Sequence, residues 1–410
     1  MSDLSFLEKL LDGAEVEWLQ VAELFHLKNG YTPSKSKKEF WEDGTIPWFR
    51  MDDIRQNGKI LNNSLQKITK SAVQRGKLFP ANSMIFATSA TIGEHALITV
   101  PYLANQRFTN LSVKEKYAEK LDIKYLYYCG FLLADWCKKN TIMSSFASVD
   151  MDGFRKFEIP ISCPNDPEKS LEIQGEIVRI LDAFNSLTTE LTTELTARKK
   201  QYNYYRDQLL TFDEDEVEYK LLGNIAEYSK SRISYDQLDE INYVGVDSLL
   251  QNRAGKEESS HVPTSGNLTE YREGDILIGN IRPYLKKIWH ADCVGGTSGD
   301  VLVIHITDKT VSSRYLYQVL ADDKFFEYNM QHSKGAKMPR GNKPKIMEYS
   351  VPIPKNEAEQ ARIVNILDKF DSLTNSISEG LPREIELRQK QYEYYRDLLL
   401  NFPKPEEVAA

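Results

Sequence analysis

The sequence feature that most constrains the fold is an internal repeat of two long segments. Residues 174–184 recur as residues 360–370, at an offset of 186 positions. Residues 200–210 recur as residues 390–400, at an offset of 190 positions. The second copy therefore has four more residues between its matching parts than the first copy has. A repeat of this length indicates a chain built from two related halves.

Both copies have the residue spacing of coiled-coil helices. Their apolar residues are separated by alternating steps of four and three residues, which places them along one side of an α-helix. The second copy contains one four–four step beside Gly380 and Pro382, and we expect a kink there. Because the two series match, we predict that the helices pair with each other; the alternative is that each packs only on its own domain. The predicted helix-pairing residues are Ile177, Leu181, Phe184, Leu191, Leu195, Tyr202, Tyr205 and Leu209 in the first copy, and Ile363, Leu367, Phe370, Ile377, Tyr392, Tyr395 and Leu399 in the second.

The repeat extends beyond the helices. Residues 16–18 have a counterpart in 217–219, and residues 124–127 have one in 314–317. Each half is therefore predicted to be one globular domain followed by one long helix, in a nearly circular chain with pseudo-two-fold symmetry. The predicted boundaries are 1–165 for the first domain (with a short helical segment at 3–12), 170–212 for the first long helix, 213–355 for the second domain, 357–402 for the second long helix and 403–410 for a tail.

The formal net charge of -8 is unevenly distributed. Residues 1–160 carry 21 lysines and arginines against 19 aspartates and glutamates, and residues 219–355 carry 18 against 17. The excess of acid lies in the helical segments. Because binding to DNA requires a local basic surface and not a basic total, the net charge does not exclude a nucleic-acid partner.

The sequence lacks the patterns of the common catalytic and metal sites. It contains no G-x-x-x-x-G-K-[ST] phosphate loop, no N-P-P-[FY] methyltransferase motif and no histidine pair at metal-ligand spacing. The four cysteines form no C-x-x-C pair, so we expect reduced thiols and neither a zinc site nor disulfides. The sequence has no apolar run near the ~18–20 residues of a membrane span and no evident signal peptide, which predicts a cytoplasmic protein.

The chain resembles the specificity subunit of type I restriction–modification enzymes, and its helices are similar to those of the IC subgroup. The resemblance rests on residues 5–18, 174–210 and 360–400 and covers essentially the whole chain. It implies an α+β fold with two similar α/β target-recognition domains, separated by two long helices that form an antiparallel coiled coil. Each domain would bind one half of an asymmetric, bipartite site in double-stranded DNA.

The same resemblance implies that the chain itself is not an enzyme and does not contact a membrane. Two methylation subunits and two restriction subunits would assemble with it. The methyl donor, ATP and magnesium would be bound by those partners, and no cofactor by this chain. In the IC subgroup a tetrapeptide repeat in the first helix sets the gap between the half-sites. Here Leu-Thr-Thr-Glu occurs twice, at residues 187–190 and 191–194, so we expect the shorter gap of the two-repeat type.

The candidate DNA contacts are polar and basic residues in loops after predicted strands. Arginine, asparagine and glutamine can form paired hydrogen bonds with base edges, and lysine neutralises phosphates. The predicted residues are Thr32, Ser34, Lys35, Lys37, Lys38, Arg50, Thr88, Ser89, Thr91, Asn105, Gln106 and Arg107 in the first domain, and Arg282, Tyr284, Lys286, Lys287, Lys334, Lys337, Arg340 and Lys343 in the second.

Two other functions fit parts of the sequence. A stand-alone repressor with a coiled-coil spacer would bind its DNA tightly without partner subunits. An interaction protein whose coiled coil is the functional part would not need the basic loops. The first alternative is distinguished by testing whether sequence-specific methylation depends on a methylation subunit, and the second by reversing the charge of Arg282 and Lys286.

Overall fold

The computed structural model describes residues 4–73, 77–143, 147–213, 215–376, 379–402 and 404. The chain divides into two compact units. The first contains Met1–Ser186 and Lys390–Ala410, and the second contains Leu187–Gln389. Each unit therefore consists of one globular domain and parts of the long helical segments.

The first domain is built mainly from short strands, with one long helix. Its helices are α1 (Leu4–Leu11), α2 (Val21–Leu24), α3 (Met51–Asn57), α4 (Ile123–Lys139) and α5 (Met151–Lys156). Its strands are β1 (Val16–Gln20), β2 (Phe25–Asn29), β3 (Ile46–Phe49), β4 (Ile60–Leu61), β5 (Lys67–Ile68), β6 (Ser83–Ala87), β7 (His95–Ile98), β8 (Leu103–Ala104), β9 (Phe108–Val113), β10 (Thr141–Met143), β11 (Ala147–Val149) and β12 (Glu158–Ser162). They form a five-stranded sheet in the order β2-β9-β6-β7-β4, a three-stranded sheet β5-β3-β8, and the pairs β1-β12 and β10-β11.

The central strand β6 shows how this domain is packed. All five of its residues are buried. Since neighbouring side chains of a strand point to opposite faces of a sheet, β6 contributes to two cores. Met84 and Phe86 pack with α4 and the long helices, whereas Ile85 and Ala87 pack in a separate core with Trp48 and the residues of the three-stranded sheet.

The first long helix, α6 (Pro167–Leu209), is 43 residues long and continuous. The predicted segment 170–212 agrees with it to within three residues at each end. The segment predicted as one helix at 357–402 is instead two helices, as described below with the second unit.

The second unit repeats the plan of the first. Its helices are α7 (Leu222–Ile225), α8 (Ser313–Leu320), α9 (Asp323–Gln331), α10 (Lys343–Met347), α11 (Glu357–Thr374) and α12 (Gly380–Leu400), of which α12 continues into the first unit. Its strands are β13 (Val217–Leu221), β14 (Ala226–Tyr228), β15 (Arg232–Ser234), β16 (Tyr243–Val244), β17 (Asn267–Tyr271), β18 (Ile276–Gly279), β19 (Ile288–His290), β20 (Gly295–Thr297), β21 (Val301–Ile306) and β22 (Ser350–Pro354). Two four-stranded sheets have the orders β14-β21-β18-β19 and β15-β17-β20-β16, and β13 pairs with β22.

Matching hydrogen bonds show that the two domains are structural repeats. The strand order β2-β9-β6-β7 corresponds to β14-β21-β18-β19. The Tyr125 hydroxyl donates to the Pro160 carbonyl at 2.7 Å, and the Tyr315 hydroxyl donates to the Pro352 carbonyl at the same distance. The α+β fold with two similar domains is thus confirmed.

The second long segment is interrupted where the sequence predicted a kink. Helix α11 ends at Thr374 and α12 begins at Gly380, whose backbone has φ +72°. A side chain at Gly380 would place its Cβ 2.3 Å from the Ser372 carbonyl oxygen, so glycine is required for this close approach. Pro382 follows in the first turn of α12, where its missing N–H costs no helical hydrogen bond.

Candidate nucleic-acid interface

In the first domain, the candidate residues that follow two different strands lie side by side. Strands β3 and β8 pair in parallel, with Phe49 opposite Ala104. Arg50 and Asn105 follow these residues directly, and the Asn105 amide donates to the Phe49 carbonyl at 3.0 Å. The parallel pairing thereby brings together two side chains that are far apart in the sequence.

The loop after β2 is held against the same turn. Tyr31 donates its amide to the Ala104 carbonyl at 2.8 Å, and Gly30 donates to Phe108 at 2.9 Å. The hydroxyl of Thr32 donates to the side-chain carbonyl of Gln106 in a short hydrogen bond. Thr32 is therefore placed beside the turn formed by residues 105–107.

The loop after β6 adjoins this turn from another direction. The Thr88 amide donates to the Arg107 carbonyl at 3.1 Å. Thr32, Arg50, Thr88 and the three residues 105–107 thus belong to one surface, although the sequence placed them in four separate segments. We call this set the first reading surface.

The other candidates of the first domain lie in the adjoining loops. Ser34 and Ser36 hydroxyls are 2.8 Å apart, and the Lys37 ammonium lies 5.0 Å from the centre of the Phe40 ring. Lys35 and Lys38 are exposed. Ser89 forms an isolated bridge with Ser148, and Thr91 lines the cavity described next.

The sequence analysis missed a group of cations around a cavity of about 580 Å³. Arg55, Lys59 and Lys138 line this cavity together with Thr91 and several apolar side chains from α3 and the turn at residues 90–94. No local pattern distinguished these cations, because they come from two helices and a loop. Glu94 also lines the cavity and lies 3.4 Å from the Lys59 ammonium, and Lys138 pairs with Asp135 at 3.3 Å.

In the second domain, three candidate segments meet through backbone hydrogen bonds. Ile281 is bridged to Arg340, and the Arg282 amide donates to the Pro339 carbonyl at 2.7 Å. Lys334 and Arg340 exchange two amide hydrogen bonds of 2.9 Å. Arg282, Lys334 and Arg340 therefore form a second reading surface.

The neighbouring candidates of the second domain are placed as follows. Tyr284 is 50% exposed. Lys337 is exposed in the turn between Lys334 and Arg340, and Lys343 begins α10. The guanidinium of Arg340 lies 3.3 Å from the carboxylate of Asp300, with 57% of its side chain exposed.

Lys286 and Lys287 are used differently from the other candidates. The Lys286 ammonium donates to Asp323 at 2.8 Å, and the Lys287 ammonium donates to the Val246 carbonyl at 2.6 Å. Burial lowers the pKa of both lysines. The Lys286 side chain is 29% exposed, against 57% for Arg340. Because both lysines are partly buried and bonded within the domain, we leave them out of the second reading surface.

Comparison with known proteins identifies the family. The model of the type I restriction modification DNA specificity domain matches residues 14–199 and again residues 214–387. The EcoprrI specificity subunit of Escherichia coli is 51% identical over 405 residues, covering 92% of this chain and 93% of that protein. The chain belongs to the specificity-subunit family of type I restriction enzymes. The resemblance described from the sequence is thereby confirmed.

Other specificity subunits share the whole length and the fold. The EcoR124I/EcoR124II specificity subunit of Escherichia coli is 37% identical and covers 100% of both chains. The crystal structure of the S subunit from M. genitalium superimposes with a TM-score of 0.55 at 15% identity, covering 96% of this chain and 98% of that one. A structure from a study of type I complex assembly gives a TM-score of 0.57 at 12% identity, with coverages of 94% and 96%. At these identities the two structures support the fold alone.

The helix-pairing residues of this specificity-subunit chain make contacts within each unit. In the first unit, Phe184 stacks on Tyr395 with ring centres 5.2 Å apart, and Ile177, Leu181, Tyr392 and Leu399 join the same core. Residues early in α6 thus pack with residues late in α12, as an antiparallel pair requires.

In the second unit, the later part of α6 packs on α11. Tyr202 and Tyr205 both stack on Phe370, with ring centres 5.6 Å away in each case. Ile363 and Leu367 are buried in this core, and Leu209 packs against it. Ile377 lies outside the described residues.

The tandem tetrapeptides form a regular part of α6. Leu191 and Leu195 are half-buried, whereas the threonines and glutamates of the repeats are mostly exposed. Thr192 and Thr193 donate their hydroxyls to the carbonyls four residues earlier, at 2.8 and 2.9 Å. These bonds satisfy the two hydroxyls within the helix.

The described residues also bear on metal, membrane and thiol sites. In the ranges that the structure describes, no group of three or more histidine, cysteine, aspartate or glutamate side chains could hold a metal ion. None of the described helices is both long and apolar enough to cross a membrane. All four cysteines are free, and burial raises the pKa of Cys129 and Cys137 to about 12, which makes these thiols unreactive.

Proposed function

We propose that this chain supplies the DNA sequence specificity of a type I restriction–modification complex, with one recognition domain for each half of a bipartite site. The observation that carries the proposal is the pair of reading surfaces. Each is assembled from segments far apart in the sequence, on the same scaffold, but from different residues. Two different surfaces on one repeated scaffold fit an asymmetric target.

The side chains of the first reading surface suit contacts with bases, and those of the second suit contacts with phosphates. On the first surface, Arg50, Gln106 and Arg107 offer donors and acceptors that match guanine and adenine edges in the major groove. On the second, Lys334 and Arg340 are cations suited to phosphate contacts, and Arg282 is bonded through its amide to the neighbouring Pro339. The half-sites would thus be read by different sets of bonds.

Methylation and restriction would be carried out by partner subunits, with two methylation subunits and two restriction subunits as the proposed assembly. The chain would be non-catalytic, and the methyl donor, ATP and magnesium would be bound by the partners.

A repeated motif suggests where the methylation subunits dock. In the segment K-Q-Y-x-Y-Y-R-D, Tyr204 is 61% exposed and its counterpart Tyr394 is 49% exposed, and exposed tyrosines are frequent anchors in protein interfaces. Two copies of one motif would provide two equivalent docking positions.

Genome-wide methylation mapping tests the proposal. Cells carrying the chain with its methylation subunit should modify adenines or cytosines in one bipartite sequence, and cells lacking this chain should lose that pattern. Specific DNA binding by the isolated chain, with no dependent methylation in any strain, would instead support a stand-alone DNA-binding protein. A methylation pattern that is unchanged when the chain is deleted would reject the proposal.

A further inference from the structure

Each recognition domain is attached to its long helix by a cluster of polar side chains. In the first unit, Asp182 of α6 accepts hydrogen bonds from the Lys124 ammonium and the Tyr128 hydroxyl, both at 2.6 Å. The Asn185 amide donates to the Tyr128 hydroxyl at 3.0 Å. We call these four residues the first clasp. It joins the start of α4, within the domain, to α6.

The second unit has a clasp at the equivalent positions, with different residues. Asp368 of α11 accepts from the Arg314 guanidinium at 2.9 Å and from the Gln318 amide at 2.6 Å. One turn later, Asp371 lies 3.6 Å from the same guanidinium. We call Arg314, Gln318, Asp368 and Asp371 the second clasp. It contains two carboxylates, whereas the first contains one.

The later part of α6 also takes part in the second clasp. The Tyr202 hydroxyl donates to Asp371 at 3.3 Å. The buried guanidinium of Arg206 donates to Gln318 and to the Ala321 carbonyl, each at 3.0 Å. The second clasp therefore connects the domain to both long helical segments of its unit.

A second attachment lies about two helical turns before each clasp. The buried side chain of Gln174 accepts from the Asp122 amide at 2.8 Å, and that of Gln360 accepts from the Ser312 amide at 2.9 Å. Gln174 and Asp182 are eight residues apart on α6, which is about 12 Å along the helix. Two attachments at this separation oppose tilting of a domain, which a single attachment would permit.

Along the sequence of α6, the tandem tetrapeptides lie between residues of the first clasp and a residue bonded to the second. Asp182 and Asn185 precede residues 187–194 on α6, and Tyr202 follows them. The segment that sets the gap in the IC subgroup thus runs from the residues of one clasp to a residue bonded to the other.

We propose that the length of helix between the two clasps sets the gap between the half-sites. The clasp residues would then be positioning residues for gap selectivity. This inference rests on the proposed function. A domain of about 150 residues has a radius of gyration near 15 Å, which puts a reading surface roughly 30 Å from its helix. A tilt of only about 6° then moves that surface by the ~3.4 Å between successive base pairs. Selectivity for one gap length therefore requires a clasp that prevents such a tilt.

The numbers of carboxylates predict unequal effects of two matched substitutions. Asp182→Asn removes the one carboxylate of the first clasp. Asp368→Asn leaves Asp371 beside Arg314, so Asp368→Asn/Asp371→Asn is the equivalent change in the second clasp. Glu359→Gln is the matched control, because Glu359 forms a 2.6 Å ion pair with Arg362 on the exposed side of the same helix α11.

The test measures methylation of DNAs whose half-sites are constant and whose gap varies by one base pair. With the assembled complex, we expect Asp182→Asn to raise methylation at neighbouring gap lengths, relative to the native gap, by roughly tenfold, equivalent to about 1.4 kcal/mol of lost discrimination. Asp368→Asn should have a smaller effect, the double variant an effect like that of Asp182→Asn, and Glu359→Gln none. Half-site bases should be read as before.

If a single clasp variant folds poorly, exchanging the two charges of the first clasp still tests the inference. Lys124→Asp combined with Asp182→Lys should restore selectivity for the native gap. The inference is overturned if the clasp variants keep native gap selectivity, or if they lose all methylation and the exchange does not restore it. Absence of site-specific methylation by the unmodified complex would instead reject the proposed function, so the two failures are distinguishable.

Discussion

Replacing Gly30 with alanine should disrupt the first reading surface by forcing two backbones apart. A Cβ at Gly30 would lie 2.3 Å from the Ala104 carbonyl oxygen and 2.4 Å from that of Asn105. Both neighbours are backbone atoms, so no side-chain rotation can relieve the contact. Since non-bonded heavy atoms are most stable about 3.5 Å apart or more, the backbones must separate by about 1 Å.

The energetic cost follows from the bonds at this position. The separation strains two hydrogen bonds, from Gly30 to Phe108 and from Tyr31 to Ala104, at 2.9 and 2.8 Å. Overpacking typically costs about 1–3 kcal/mol and each weakened hydrogen bond about 0.5–1.5 kcal/mol. We therefore expect Gly30→Ala to lower the free energy of unfolding by about 2–6 kcal/mol.

The functional consequence should be confined to one half-site. A shift of about 1 Å displaces Thr32 from Gln106, and binding sites tolerate only about 0.5 Å. Methylation of DNAs with altered half-sites should show lost discrimination in the half read by the first domain and normal discrimination in the other half.

Gly175→Ala is the control for this substitution. Nothing lies within 4 Å of a Cβ at Gly175 in α6, and the repeat has Ala361 at the equivalent position. This change should stabilise the helix by about 0.5–1 kcal/mol and leave both half-sites unaffected. If denaturant titration shows the same unfolding free energy for Gly30→Ala as for the unmodified chain, and both half-sites are read normally, the steric reasoning is wrong.

Three further predictions concern the spacer, a buried histidine and the second reading surface. Inserting a third Leu-Thr-Thr-Glu unit after Glu194 adds about 6 Å to α6 and about 40° of rotation. The added length is nearly two base-pair steps of ~3.4 Å, and the rotation is close to the about 35° of one step. Methylation mapping should therefore find a gap one or two base pairs longer; an unchanged gap contradicts the spacer role. Burial lowers the pKa of His95 to about 3. As the pH falls below 6.5, the unfolded chain therefore binds a proton that the folded chain does not. The free energy of unfolding should decrease as a result, by about 2 kcal/mol at pH 5. His95→Phe should remove this part of the pH dependence in denaturation curves, and an unaltered slope would contradict the assignment. Arg340→Ala should weaken methylation and reduce the dependence of methylation on salt concentration. Lys287→Ala should lower the unfolding free energy by about 1 kcal/mol and leave that salt dependence unchanged. The reverse pattern would assign DNA contact to Lys287 and a structural role to Arg340.

Helical pairing was predictable because its signal is local and repeated. The alternating steps of four and three residues describe one side of a helix whatever surrounds it, and α6 follows the prediction closely. The interruption between Thr374 and Gly380 was predicted only as a kink. Its extent depends on the left-handed backbone of Gly380 and its approach to Ser372, which residue spacing does not reveal.

The reading surfaces were predictable in composition but not in side-chain direction. Arg50 and Asn105 were both candidates, yet their proximity depends on a parallel strand pair that the sequence does not indicate. Lys286 and Lys287 had the same local pattern as Arg282, but their ammonium groups bond to Asp323 and Val246. The directions of these two lysine side chains depend on acceptors 37 and 41 residues away in the chain. A local sequence pattern does not contain such distant acceptors.

The central strand of each domain packs on both of its faces and thereby separates two cores. In β18, Ile276 and Ile278 pack with the helices, whereas Leu277 packs in a separate core with Trp289, which repeats the alternation seen in β6. The helix-facing sides also contain the matching bonds from Tyr125 and Tyr315. The opposite sides are unlike in the two domains: Trp48 and Phe49 pack there in the first, directly before Arg50, and Leu277 and Trp289 pack there in the second. Because alternate residues of β6 serve separate cores, substitutions beneath the first reading surface should change that proposed DNA-contact surface while the attachment of the domain to α6 is preserved.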